Sequence, residues 1–401
     1  LRGIIEHLDH VQNLGIDVLY MTPIFQSNSC HKYDTTDYYQ IDPSFGTTED
    51  LKELVQKAHE RGMKVVLDAV YNHTGREFFA FADILENGEK SKYRDWYFID
   101  GFPLKSEWGE IPNFKCFGYY GGMPKLNLKN PEVEKYITDV ACYWIKECDI
   151  DGWRLDVGDE ISHFFWKNFR KAVKAVKKDM LIIGEIWHYA GDFLEGDEWD
   201  TVMNYPFYLN LIDLLADEKI TVSQFVQNLG YLKGRLHKNC YPLMWNLIDS
   251  HDTARFLHLC NGNKKKQHLA AAFQLLLPGM PMIYYGDEYA MPGANDPDCR
   301  RGMYWDEEYQ DKEMYEWYKR LIQVRKSHAC IVEGELAGSV TEDEEGTIVL
   351  IRKNGEETIA MIFNCSSSAK KFNEYTQKYN LLTENTFDGN VEGFDAAVIV
   401  L

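Results

Sequence analysis

The stretch DGWRLDVGDE, residues 151–160, carries the reading of the fold. Its first half has the apolar spacing of a short buried strand, and within it Arg154 and Asp156 stand two residues apart. In an extended chain, positions i and i+2 share a face, so both charges leave the strand on one side. Charged side chains are seldom buried without a partner. The pair is therefore either an internal ion pair or the working part of a site.

Working outward, the chain alternates amphipathic helices with short apolar runs as far as residue 330. Seven candidate strands follow from this rhythm, at 16–21, 64–70, 150–156, 180–186, 200–204, 243–249 and 281–286. Strands apolar on both faces and separated by helices imply a parallel sheet of βα units. Both a closed eight-stranded barrel and an open doubly wound sheet accommodate this pattern. Asp68, Asp156, Glu185 and the pair Asp249/Asp252 all fall at the C-terminal ends of different strands. In a closed barrel those ends converge on one pocket, which favours the barrel.

Two regions break the rhythm. Residues 72–130 form a long insertion rich in Gly, Tyr, Phe and Trp. An insertion of that length inside a compact domain is expected to be a functional subdomain. After residue 330, alternating apolar runs separated by turns such as KNGEE predict a small antiparallel β domain over 331–401.

The 401 residues carry a net charge of −20, with 63 acidic against 43 basic side chains. That balance opposes a nucleic-acid partner, which needs a basic face, and docking on an anionic membrane surface. No run of 18 apolar residues predicts a membrane span. Nine cysteines show no CxxC or zinc-finger spacing, which fits reduced thiols in a cytosolic protein. The chain opens at Leu1 on a helical pattern and reads as a fragment or processed chain, so the lack of a leader leaves secretion open.

Carboxylates at several strand ends, an arginine and two histidines suit cleavage of a glycosidic bond. That reaction needs one ionised carboxylate and one carboxylic acid flanking the bond. At this point the residues resemble a known family, the alpha-amylase superfamily, glycoside hydrolase family 13. Its short regions are matched in order by GIDVLYMTPIF (15–25), DAVYNH (68–73), GWRLDV (152–157), GEIW (184–187), NLIDSHD (246–252) and GMPMIYYGDE (279–288). The resemblance implies a (β/α)8 TIM barrel over 1–71 and 131–330, lacking the first strand in these residues. It also implies an inserted domain B over 72–130 and a C-terminal antiparallel β-sandwich.

The same resemblance implies roles. Asp156 is the nucleophile, oriented by Arg154; Glu185 is the acid/base; Asp252 binds sugar hydroxyls in the transition state. His73 and His251 bond the sugar before the cleaved bond, Asp68 supports that network, and Tyr33 stacks on the same sugar. Asp296 and Arg300 grip the next sugar out, and Trp187 serves the leaving-group side. Calcium at Asn72, beside domain B, is a structural expectation; the chemistry itself requires no cofactor.

MPKLN (123–127) resembles the corresponding region of neopullulanases, cyclomaltodextrinases and maltogenic amylases. Cyclodextrins, pullulan and maltooligosaccharides are the implied substrates, with transglycosylation as a side reaction. An oligo-α-1,6-glucosidase is the alternative within enzymes, and MPKLN speaks against it. An inactive carbohydrate-binding relative is the alternative of another class, and the retained acids speak against that. The group's extra N-terminal β domain, which helps form a dimer, has no counterpart here, so the oligomeric state stays open. Asp159 in VGDE stands where close relatives carry Asn.

Overall fold

The computed structural model describes residues 1–105 and 111–401. The chain divides into two compact units, one of Leu1–Ile186 with Asp192–Val202, the other of Trp187–Gly191 with Met203–Leu401.

The first unit is built on β1 (Val18–Met21), a hairpin of β2 (Phe25–Ser27) and β3 (Thr35–Ile41), β4 (Lys64–Ala69), β5 (Gly152–Leu155), β6 (Leu181–Gly184) and β7 (Thr201–Val202). Five of these form a parallel sheet in the order β1-β4-β5-β6-β7. β1, β4, β5 and β6 are joined through helices, the connection parallel strands commonly use, while β6 reaches β7 through residues 185–200 with only a short turn at Gly191–Phe193. The register sets Asp68 opposite Arg154 and Leu155 opposite Gly184.

The helices start and stop where their sequences say. Thr47 and Asp50 close a capping box on Thr48–Glu60, satisfying two orphan amides at once. Asn130 caps Pro131–Cys148, which has Pro131 in its first turn and ends at Asp149 in a left-handed conformation, φ 56°. That helix buries Val133, Ile137, Val140, Ala141 and Trp144, the three-and-four spacing of a core-facing stripe. The Trp144 indole donates to the Tyr38 carbonyl at 2.8 Å, so its buried N–H is not wasted.

In the second unit, β8 (Trp245–Asn246) and β9 (Met280–Pro281) pair in parallel, and Met203 bridges to Trp245 in the same sense. Its C-terminal part holds β10 (Glu335–Glu342), β11 (Thr347–Asn354), β12 (Glu357–Asn364), β13 (Lys370–Lys371), β14 (Tyr379–Asn380), β15 (Asn385–Thr386), β16 (Asn390–Val391) and β17 (Asp395–Val400). Six of them make an antiparallel sheet in the order β10-β11-β12-β17-β14-β15, and β13 pairs with β16. Val349, Ile362, Phe372, Phe387 and Ile399 are among the residues of its core.

Six of the expected parallel strands are present, the sixth shortened to Trp245–Asn246, while the one expected at 281–286 is reduced to Met280–Pro281; the antiparallel C-terminal sheet is where the turn pattern put it. Three local features differ. The opening helix is broken at His7 into Arg2–Glu6 and Leu8–Leu14. The hairpin β2–β3 was hidden in HKYDTTDYY, because its register is irregular. The insertion contains a helix, Phe79–Asn87, whose FAFADIL is too uniformly apolar to show a clear period. The insertion assigned to 72–130 also includes 106–110, which lie outside the described residues. Among the described residues, no helix is long and apolar enough to cross a membrane.

Gly184 ends β6 directly before Glu185, and a Cβ there would overlap the Trp199 ring. Gly184→Ala is therefore expected to destabilise the protein by about 1–3 kcal/mol through overpacking. Gly3→Ala, whose added Cβ meets nothing, is the control and is expected to be neutral or mildly stabilising. Urea unfolding of the two variants checks this; equal stability would show that Trp199 yields to the extra carbon.

Candidate active site

The centre of the first unit's site is Arg154, with no solvent exposure. Its position in β5 between β4 and β6 puts three carboxylates in its reach. Nη1 lies 3.1 and 3.0 Å from the two oxygens of Asp68 and 3.0 Å from Asp156 Oδ1, and Nη2 lies 2.8 Å from Glu185 Oε2. Burial alone would weaken the guanidinium charge, but Asp68 and Glu185 outweigh it and keep the group firmly cationic. Burial raises Asp68 above the usual carboxylate range, against the pull of Arg154.

The backbone carries part of the arrangement. Asp156 N donates to Ala69 O at 3.2 Å and Glu185 N to Leu155 O at 3.0 Å, so each acid sits one residue beyond its strand while still on the ladder. Val157 follows with φ 47°, a conformation a β-branched residue rarely adopts. The reason is visible in its amide, which donates to Glu185 Oε2 at 2.9 Å.

Around this cluster lie the residues assigned to the sugar before the cleaved bond. Tyr20 and Tyr33 hydroxyls donate to Asp68 Oδ2 at 2.6 and 3.1 Å. Burial pushes the Tyr33 phenol well up, so it stays a donor. His73 is buried and stacks on Phe117 at 5.1 Å. Its Nε2 is 3.0 Å from the Tyr33 carbonyl; a carbonyl only accepts, so Nε2 carries the proton. His73 thereby orders Tyr33, a link the sequence did not show.

Asn72 is buried, with its Nδ2 3.2 Å from Glu160 Oε2 and its Oδ1 without a hydrogen-bond partner. One orphan oxygen is a weak basis for calcium, which takes six to eight oxygen ligands. The neighbouring carboxylate, Glu160, already bonds the Lys125 ammonium at 2.7 Å. No group of three or more His, Cys, Asp or Glu among the described residues could hold a metal ion. Glu160 thus links Asn72 to Lys125, a residue of MPKLN. Asp159 is exposed in the turn Gly158–Glu160 between these groups.

The second unit gathers the remaining candidates. His251 Nε2 lies 3.1 Å from Asp252 Oδ2, and Arg300 Nη2 lies 3.5 Å from Asp252 Oδ1. Arg300 Nε is 2.9 Å from Asp296 Oδ1 and from the His251 carbonyl. The four residues form one polar group. Trp187 stacks on Tyr205 with centroids 3.9 Å apart and is 41% exposed. Asp249 has a different fate. It is buried, accepts from Phe256 N at 2.7 Å and, like Asp287, is raised by burial. Arg255 Nη1 meets Asp287 at 3.2 Å, so this acid pair is internal scaffolding that strand-end counting could not separate from Asp252.

His73 gives a pH dependence. Burial lowers its pKa from 6.5 to about 4, so the unfolded chain takes up the proton first as pH falls. The stability from neutral His73 is complete above about pH 6.5 and is lost towards pH 4, by up to about 3 kcal/mol. His73→Gln is expected to flatten that part of the stability profile, measured by urea unfolding at pH 7, 5.5 and 4.5. An unchanged slope would mean the imidazole protonates in place.

Known proteins resemble this chain over most of its length. The chain is 48% identical over 369 residues to a cyclomaltodextrinase of Geobacillus thermopakistaniensis, covering 92% of this chain and 62% of that protein. It is 44% identical to neopullulanase 2 of Thermoactinomyces vulgaris, covering 91% of this chain and 62% of the relative. A solved cyclomaltodextrinase superposes with a TM-score of 0.95 at 40% identity, over 99% of this chain and 70% of its own. The chain thus spans less than two thirds of the length of these two curated relatives. The family model described as the alpha-amylase catalytic domain matches residues 1–310, and by that match the chain belongs to the alpha-amylase family.

Proposed function

We propose that this protein is a retaining α-glucan hydrolase that cleaves α-1,4-glucosidic bonds of cyclodextrins, pullulan or maltooligosaccharides, with α-1,6 bonds and transfer to sugar acceptors as further activities. The observation that carries the reading is the single buried guanidinium holding Asp68, Asp156 and Glu185 at the ends of adjacent strands. Relatives named for cyclodextrin and pullulan substrates support the substrate class.

In the first step, an Asp156 carboxylate oxygen attacks the anomeric carbon as Glu185 gives its proton to the departing glycosidic oxygen. The C1–O bond breaks and a covalent glycosyl-enzyme forms. In the second step, Glu185 takes a proton from water, the water oxygen bonds to C1, and Asp156 leaves. Two inversions give retention. Arg154 keeps Asp156 ionised and aimed, since a buried cation stabilises the charged form of a neighbouring acid. Asp252 and His251 bond sugar hydroxyls, Tyr33 packs on the same sugar, Asp296 and Arg300 hold the next one, and Trp187 receives the leaving group. None of these steps calls on a cofactor.

We assign the parallel strands to a (β/α)8 barrel, with domain B at 72–130 and a C-terminal β domain at 331–401. A cytoplasmic setting is supported by nine free thiols and by a relative named intracellular.

Product analysis with γ-cyclodextrin, pullulan and starch tests the proposal. Panose from pullulan, and ring opening faster than starch cleavage, are expected. Asp156→Asn is expected to lower kcat by at least about 10³-fold, as removal of a nucleophile does. Retained activity in that variant would remove Asp156 from the chemistry.

A further inference from the structure

Across β3 runs a buried charge pair that the mechanism does not use, Lys32 in the turn before the strand and Asp42 just past its end. Lys32 is non-glycine with φ 67°, an uncommon backbone conformation for a long side chain. Its ammonium is buried, 2.8 Å from Asp42, and donates to the Ser27 carbonyl at 3.1 Å. Asp42 further accepts from Ser27 N at 3.3 Å, from Ser44 N at 3.0 Å and from Ser44 Oγ at 2.5 Å. Burial opposes its ionisation, but Lys32 and Ser44 outweigh that and hold the carboxyl well below the usual range.

A buried ion pair is a poor device for stability, because desolvation cancels much of the attraction and an apolar pair serves as well. What such a pair does well is fix one geometry among several. Here the residue fixed next in the chain is Tyr33. Its hydroxyl bonds Asp68 at 3.1 Å, its carbonyl accepts from His73 at 3.0 Å, and its amide lies 3.1 Å from His31 Nδ1. Ser27 and Ser29 both donate to Asp34 on the other side of Tyr33, so the turn is pinned at each flank.

We propose that Lys32 is a positioning residue: its ion pair with Asp42 holds the turn in the left-handed conformation that aims the Tyr33 ring at the sugar undergoing cleavage. The proposal rests on the reading of Tyr33 as the wall of that sugar site. Misplacing a substrate-positioning group by an ångström is enough to lower a rate severely.

A double-mutant cycle on γ-cyclodextrin hydrolysis tests it, using Lys32→Met, Tyr33→Ala and the double variant, with kcat, KM and the thermal midpoint measured for each. Lys32→Met is expected to lower kcat by about 10- to 50-fold with KM within about threefold. Tyr33→Ala should then add less than about threefold in the Lys32→Met background, far less than in the native one, because coupled residues are non-additive. Asp42→Asn, put through the same cycle, is expected to behave alike and stands in if Lys32→Met fails to fold. Equal losses from Tyr33→Ala in both backgrounds would overturn the positioning role and leave the sugar-wall reading standing. A native-background Tyr33→Ala with unchanged kcat would overturn the sugar-wall reading itself, and the proposal with it. Failure of both Lys32→Met and Asp42→Asn to fold would make the pair structural and end the proposal.

Discussion

A guanidinium with no access to water is the constraint on which the first unit's site depends. Leaving such a charge unpaired inside a protein costs many kcal/mol. Arg154 is compensated only because β4, β5 and β6 bring Asp68, Asp156 and Glu185 to it from three strands. Sheet register and active-site geometry are therefore one requirement. A slip of one residue would turn Arg154 to the opposite face and strand it among apolar side chains. The left-handed Val157 belongs to the same requirement. Strain of this type costs of order 1–3 kcal/mol, and here it delivers an amide to Glu185.

The surrounding side chains act mostly on one another. Gly184 admits the Trp199 ring beside the strand that carries Glu185. Tyr33 is held through its hydroxyl by Asp68 and through its carbonyl by His73. Lys125 meets Glu160 and, through it, Asn72. In the second unit, Asp252, His251, Arg300 and Asp296 form a comparable closed group. Each fixes a side chain before any ligand arrives, which is the condition for electrostatic stabilisation of a transition state without reorganisation.

Much of this was legible from residue order. Period-3.6 apolar stripes and capping residues placed the long helices, and doubly apolar runs placed the parallel strands except the last, which is only Met280–Pro281. The candidate acids Asp156 and Glu185 were legible because each directly follows a strand. The helix Phe79–Asn87 and the hairpin β2–β3 were not, the first being apolar on too many sides and the second irregular in register. Asp249 and Asp252 could not be told apart either, since both are acids in one seven-residue run.

The sequence by itself determined the alternation of strands and helices, the strand-end placement of Arg154, Asp156 and Glu185, and the family these imply. Periodicity and spacing are local properties, and they survive without coordinates. Only the tertiary structure decided which acid faces which partner. It put Asp249 in the buried network of Asp287, hydrogen-bonded His73 to the Tyr33 carbonyl, linked Lys125 to Asn72 through Glu160, and buried Lys32 with Asp42. Those outcomes depend on distances and desolvation between residues far apart in the chain, and no pattern along the chain encodes them.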